Sequence, residues 1–231
     1  MKILAIDTSG DACGACVYDA DAGRTLAIFN EIIGRGHAER LMDIISRVMK
    51  EAGVEHSGLD RVAVCTGPGS FTGIRVGVAT ARGFGLGLGI PVIGVSELDA
   101  LMEDLRKTAG DDAETGVVLR TGRDEVYALF SIDTPFAAAG VPFVSGLDDL
   151  ASGVSHLAGN LFLAGNAATD LAAAIGETDG AATISGQAET ASLETIARIA
   201  AGRTATTERP EPLYLRKPDA KPQGGFAVQR A

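Results

Sequence analysis

Asp7-Thr8-Ser9 closes the first apolar run of the chain and Gly67-Pro68-Gly69-Ser70 closes another, so two short loops stand at strand ends where phosphate chemistry is often staged. An aspartate in such a place can hold water on Mg²⁺, because hard oxygen ligands suit that ion. Gly67 and Gly69, with Ser70 ahead of a helix, can bare backbone N–H groups to an anion. Asp7, Thr8, Gly67, Gly69 and Ser70 thus resemble a phosphate site, but a vestigial one. The complementary Asp-x-Gly loop is missing from the second half, Ile74 follows Gly73 where a P-loop needs Lys, and Thr72 stands where G-x-G-x-x-G needs its third glycine. The competing use of Asp7 and Thr8 is to hydrogen-bond or cap a neighbouring loop.

Other chemistry is sparse. His37 opens the run HAERLM, yet Leu41 occupies the position where a metalloprotease helix needs its second histidine. Cys13 and Cys16 lie in a predicted strand and point to opposite faces, and no second pair completes a zinc site. Ser70 and Ser96 have no histidine in register, and Asp124 and Glu125 fall in a predicted hairpin turn, where exposure keeps carboxylates ordinary. The residues therefore assign no catalytic group, no metal and no cofactor.

The 231 residues are 46% hydrophobic and 22% charged, values of a globular chain long enough for one large or two small domains. A formal net charge of −10 argues against nucleic-acid binding by this chain alone, since phosphate contacts need clustered Lys and Arg; an RNA role would need a basic partner. MKILAIDTSG enters a strand pattern without the apolar stretch of a signal peptide, and no later run reaches the length of a membrane span. Three cysteines, an odd number, suit a reducing compartment. A cytoplasmic protein that avoids membranes is expected.

The elements that must position these loops follow from periodicity. Strands are predicted over 2–9, 14–20 and 25–32, the last two joined by an Asp21-Ala22-Gly23 turn into a meander. Leu41, Ile44, Ile45, Val48, Met49 and Ala52 recur at helical spacing opposite Glu39, Arg40, Asp43, Arg47 and Lys50, giving a helix over 37–52 that Gly53 stops. A strand over 61–66, a helix over 71–88, a strand over 91–95 and a helix from Ser96, with Asp99 completing a capping box, follow. This order is that of the ribonuclease-H-like half of actin-like ATPases, by analogy. The expected fold is α/β: two ribonuclease-H-like lobes, each a mixed sheet with helices, the second smaller and degenerate.

The lobes are expected over 1–106 and 107–208, the last helix of the second free to pack back on the first, with an extended basic tail over 209–231. In the second lobe a hairpin (116–121 and 125–132, turning at Gly122-Arg123), a strand over 160–165, a helix capped by Asn166 and a helix over about 192–202 are predicted, while 135–157 reads as loop. Arg203, Arg209, Arg216, Lys217, Lys221 and Arg230 make the only locally basic stretch, and Pro210, Pro212, Pro218 and Pro222 keep it extended. A solvated tail is the expected state, a docking tail the alternative.

Glycine is the remaining anomaly. Each one inside a helix costs about 1 kcal/mol relative to alanine, so its density over 71–88 needs compensation. Gly73, Gly77, Ala81 and Gly85 recur every four residues and are expected to form a smooth face for a helix of another chain. Helix 37–52 carries more apolar positions than one core face needs. A bulky residue at Gly77 is accordingly expected to weaken pairing without unfolding the lobe.

ILAIDTS, GPGSFTGIRVGVATARGFGLGLGIPVIGVSELDAL, RDEVYALF and PEPLYLR together resemble the TsaB (YeaZ) family, across the first hundred residues and in short blocks to Arg216. The second hairpin departs from the family's usual Asp-Ala-Arg, with Arg120-Thr121-Gly122-Arg123 instead. The resemblance implies two actin-like lobes and a noncatalytic scaffold that activates synthesis of N6-threonylcarbamoyladenosine (t6A) at adenosine 37 of tRNA. It implies pairing with the catalytic subunit TsaD, which moves threonylcarbamoyl from its adenylate to tRNA, recruitment of the ATPase TsaE, and contact with tRNA only through the complex; an exposed helix pair is also expected to find its own copy, giving homodimers when the chain is alone. The implied partner surface is the helix pair 37–52 and 71–88, with His37, Leu41, Ile45, Arg75, Gly77, Val78, Ala81 and Arg82 as partner-facing positions. The competing activities are an actin-like ATP-dependent small-molecule kinase or ATPase working through Asp7 and loop 67–73, and, less well founded, a metalloprotease.

Overall fold

The computed structural model describes residues 1–110, 112–121, 124–176, 181–205 and 208–216. The chain runs β1 (Lys2–Asp7), β2 (Ala12–Asp19), β3 (Arg24–Ile32), α1 (His37–Ala52), β4 (Arg61–Cys65), α2 (Phe71–Leu88), β5 (Val92–Val95) and α3 (Glu97–Ala109), then β6 (Glu114–Arg120), β7 (Glu125–Phe130), β8 (Phe143–Gly146), α4 (Leu147–Val154), β9 (Leu161–Ala164), α5 (Ala168–Ile175), β10 (Thr183–Gly186) and α6 (Leu193–Gly202). The same βββαβαβα order occurs twice. The sheets are ordered β3-β2-β1-β4-β5 and β8-β7-β6-β9-β10, each with an antiparallel meander and parallel outer pairings. Both lobes are thus ribonuclease-H-like, as expected, and the second is complete in topology; its reduction lies in four-residue strands at β8, β9 and β10.

Side-chain alternation sorts the core into three layers. In β1, Leu4 and Ile6 face α1 and α2, while Ile3 and Ala5 face the interior between the sheets. Val118 of β6 faces α4 and α5, and its neighbours Val117 and Leu119 turn inward. Because both faces of the central strands are buried, they read as continuous apolar runs. The middle layer holds α3 and α6, exchanged between lobes: α3 leaves the first sheet and packs on β6, β7, β9 and β10, and α6 leaves the second and packs on β1, β2, β4 and β5. Ser96 and Ser192 cap these two helices alike, accepting from the amides of Asp99 and Thr195.

Three local expectations change. Asp99 does not close a capping box; its carboxylate accepts from Arg203 at 2.9 Å. Asn166 does not cap α5, because its Oδ1 takes the amide of Arg120 at 2.7 Å, leaving Ala167 at the N-cap. Segment 135–157 is not loop throughout but supplies β8 and α4, whose Leu150 and Val154 are fully buried. The Gly122-Arg123 turn lies outside the described residues.

The glycines of α2 face inward. A Cβ at Gly73 would collide with the Thr8 carbonyl, one at Gly77 would lie 2.5 Å from Thr8 Oγ1, and one at Gly85 would collide with Val92. Ala81 is fully buried. The close approach that this stripe allows is therefore between α2 and its own sheet, and Gly77 is a packing position, not a docking one. On the opposite side Gly83 is exposed with nothing near a would-be Cβ. Gly73→Ala is expected to destabilise the protein by roughly 3 kcal/mol or more in urea unfolding, since backbone cannot yield as a side chain does. Gly83→Ala, in the same helix, is expected to stabilise it by up to about 1 kcal/mol.

Candidate functional site

The two loops singled out by sequence do meet, but they fill each other. Thr8 Oγ1 donates to the Gly73 carbonyl at 2.7 Å, and the Ser70 amide donates to the Ser9 carbonyl at 2.6 Å. Ser70 Oγ accepts from the Gly73 amide at 3.2 Å, so α2's first turn is capped internally. A Cβ at Gly69 would fall on the Ser9 carbonyl, which shows how tightly the β1–β2 loop lies on loop 67–73. Asp7, Thr8, Gly67, Gly69 and Ser70 are brought together, as a closed backbone joint in the place where an anion would need room.

At the joint's centre is a residue that sequence reasoning missed. Glu97, the first residue of α3, is fully buried. Its Oε2 accepts from Cys65 Sγ at 2.8 Å and from Ser9 Oγ at 3.1 Å, and its Oε1 accepts from the amide of Ala191, which leads into α6. Its own amide donates to the Gly67 carbonyl at 2.8 Å. Asp7 lies alongside, its Oδ1 accepting from the Ser9 amide at 2.8 Å. Asp7, Cys65 and Glu97 are the one group of potential metal donors among the described residues, their ligand atoms within 4.8 Å of one another. All three are buried, and their other bonds are to the chain itself.

Burial decides the electrostatics here. Loss of water, reinforced by the charge of Asp7, pushes the Glu97 carboxyl up to about 8. Burial likewise raises Asp7 against the two Ser9 hydrogen bonds that favour its charged form. Burial and both carboxylates hold the Cys65 thiol well above its ordinary value, the reverse of what a nucleophile needs. Cys16 and Cys13 are pushed by burial to about 12 and about 11; they face opposite layers and are plain core thiols.

The expected partner-facing positions also move. His37, Leu41, Ile45, Gly77, Val78 and Ala81 are all buried on the inner faces of α1 and α2. The apolar spacing that singled them out marks the side a helix turns to its core. His37 Nε2 donates between the Gly10 and Ala12 carbonyls, at 3.0 and 3.2 Å, as a satisfied structural histidine. Arg82 is turned along the chain: its Nε donates to the Pro210 carbonyl at 2.9 Å and its guanidinium reaches Glu211. Arg75 alone of the eight stands exposed. The uncharged outward residues include Ala38, Met42 and Ser46 on α1, among exposed Glu39, Arg40, Asp43 and Arg47, and Phe71, Ala79, Gly83 and Leu86 on α2.

The C-terminal stretch is not a free tail over residues 208–216. Pro210 lies against Gly94, the Leu213 amide donates to the Thr66 carbonyl at 2.8 Å, and Arg216 reaches Glu125 at 3.1 Å. Lys217, Pro218, Lys221, Pro222 and Arg230 lie outside the described residues.

The family model described as TsaD, tRNA N6-adenosine threonylcarbamoyltransferase, matches residues 27–222. The chain belongs to the TsaD family, within its TsaB (YeaZ) branch. Escherichia coli TsaB, a "tRNA threonylcarbamoyladenosine biosynthesis protein", is 34% identical over 128 residues, 55% of this chain and 53% of its own length. An uncharacterized Mycobacterium tuberculosis protein is 32% identical over 95% of this chain and 94% of its own length. Two structures of Pseudomonas aeruginosa, YeaZ and a protein described as similar to the peptidase YeaZ, superpose with TM-scores of 0.73 at 25% and 26% identity, covering 93% of this chain and 99% of each. The chain spans about half the length of the curated TsaB relatives it matches.

Glu97 ties stability to pH in a known direction. In the unfolded chain it ionises near 4.5, and in the fold it keeps its proton to about 8. Its contribution is whole below pH 4.5, falls as pH rises, and is gone above about 8, by at most about tenfold per pH unit in the unfolding equilibrium. Asp7 acts in the same sense. Denaturation of wild type and Glu97→Gln at pH 5 and pH 8.5 is expected to show wild type losing more stability with rising pH than the variant, which has no proton to lose there.

Proposed function

We propose that the chain is a noncatalytic subunit of the machinery that makes t6A at adenosine 37 of tRNA, pairing with a TsaD-type transferase and, with the ATPase TsaE, supporting its activity. The observation that carries this reading is the closed joint between loops 8–9 and 67–73: in this member of a transferase family the two loops at the strand ends pack on each other's backbone and leave no room between them for a phosphate. The raised thiols and the carbonyl-bound His37 add no nucleophile or metal centre, so the kinase, ATPase and peptidase alternatives gain no support from the described residues. With a net charge of −10 the chain meets tRNA through its partner rather than directly.

The outer faces of α1 and α2 are the surface offered to that partner. Ala79 and Gly83 are small and exposed, Met42 is 49% exposed and Leu86 is 74% exposed. Such a face lets a second helix approach closely and gives it apolar side chains to bury. Because the partner shares the family fold, the two chains can meet through equivalent helices about an approximate twofold axis, and two copies of this chain can do the same when the partner is absent.

A reconstituted reaction tests the role: the TsaD-type protein of the same cell, with TsaE and tRNA, is expected to form t6A only when this chain is added, and equal yield without it would refute the proposal. For the surface, Gly83→Arg is expected to weaken pairing with that protein at least about tenfold without lowering the melting temperature. Undiminished affinity in calorimetry would exclude the outer face of α2.

A further inference from the structure

We propose that Phe71, Arg75 and Tyr214 form a composite anchor, built jointly by the first turns of α2 and the C-terminal strap, and that it receives a carboxylate-bearing segment of the TsaD-type partner. The inference rests on the pairing proposed above and adds the residues at its centre and the chemistry the partner must present.

The geometry sets these three side chains apart from the rest of the surface. Phe71 and Tyr214 are 57% and 54% exposed, with ring centroids 5.9 Å apart and planes tilted by 41°. Arg75 is stacked over Phe71, its Cζ 3.8 Å from that ring centroid and 5.9 Å from that of Tyr214. Its Nε donates to the Tyr214 hydroxyl at 3.0 Å. Among the described residues no carboxylate pairs with Arg75, whereas Arg82, two turns on, is committed to Pro210 and Glu211. An exposed guanidinium stacked over an aromatic ring, with no carboxylate partner among the described residues, is a ready fork for a carboxylate.

Preorganisation supports the same conclusion. The strap's contacts with Thr66, Arg82 and Glu125 hold Tyr214 in place before any partner arrives, so little ordering remains to be done on binding. Arg and Tyr are the residue types that centre protein interfaces, and the anchor runs directly into the small outer face at Ala79 and Gly83. Aromatic rings with an arginine can also stack nucleic-acid bases. Here the net charge of −10 opposes the polyanionic backbone of a nucleic acid far more than it opposes a single carboxylate, and Arg75 offers that carboxylate a guanidinium with no acidic partner among the described residues.

Calorimetry with the full chain and the purified TsaD-type protein, at low and high salt, tests the anchor. Arg75→Glu and Tyr214→Ala are expected to weaken pairing about 30-fold each, Tyr214→Phe by less than threefold, and Arg75→Glu to reduce the salt dependence. Melting temperatures identify any variant that misfolds; Arg75 is exposed, so its variant keeps the test valid if Tyr214→Ala does not fold. Loss of pairing in Gly83→Arg with Arg75→Glu and Tyr214→Ala both within twofold of wild type would overturn the anchor and leave the pairing standing. No binding by wild type would overturn the pairing itself, and with it the anchor. Direct binding of tRNA by the isolated chain, lost in Arg75→Glu, would reassign the cluster to nucleic acid.

Discussion

A buried carboxylic acid ties the loops at the ends of β1 and β4 to the segment that leads into α6. Glu97 takes donors from Ser9 after β1, Cys65 at the end of β4 and Ala191 ahead of α6, while its amide holds the Gly67 carbonyl. Leaving such donors unmet would cost on the order of 1–3 kcal/mol each, so an acceptor at this point is what permits the segments to be buried at all. The helix whose entry it guards crosses to the other sheet, and Ala191 introduces the helix that crosses back. The exchanged middle layer therefore depends on one polar junction as much as on its apolar contacts.

That junction constrains what the fold can still do. A ribonuclease-H-like lobe places its loops at the C-terminal ends of parallel strands, where a ligand is expected in α/β sheets. Here the same position is occupied by the chain's own carbonyls, brought in because Gly69 and Gly73 have no Cβ to hold them off. The glycines cost α2 some helix stability and return it as close packing on the β1–β2 loop. Buried in this packing, Asp7 is cut off from solvent, its carboxyl is raised, and it accepts from the Ser9 amide as part of the joint.

Periodicity revealed α1 and α2 to their terminal residues because strong signals coincided there: glycines end both helices in the left-handed region, at Gly53 and Gly89, and Ser70 caps the second. The meander and the two-lobe order were legible for the same reason. β8, α4 and β10 were not, because four-residue strands and an eight-residue helix offer too few positions for a period to show. The site was legible in its loops and hidden at its centre, since a glutamate in sequence reads as surface and only the fold shows that Glu97 has three donors waiting. The partner positions were inverted for a more basic reason. Spacing of three and four reports that a helix has a distinct face, and a smooth stripe such as Gly73-Gly77-Ala81-Gly85 can serve the chain's own sheet as well as another chain; only burial distinguishes them.

The strap solves two problems with one segment. β5 is the outer strand of the first sheet, and an open edge invites further strands to add to it. Arg203 occupies the Gly94 carbonyl at 2.7 Å, and Pro210 packs on the same glycine. Prolines at 210 and 212 lack the N–H groups a new strand would need, so the edge is covered without the sheet being extended. Covering it with the chain's C-terminal stretch carries Tyr214 across to α2, where it stands beside Phe71 and Arg75. A sequence scan sees a charged, proline-rich end and concludes solvent, because neither the edge it covers nor the helix it reaches is near in sequence. In the fold, protection of the sheet edge and construction of the exposed aromatic cluster follow from the same set of contacts.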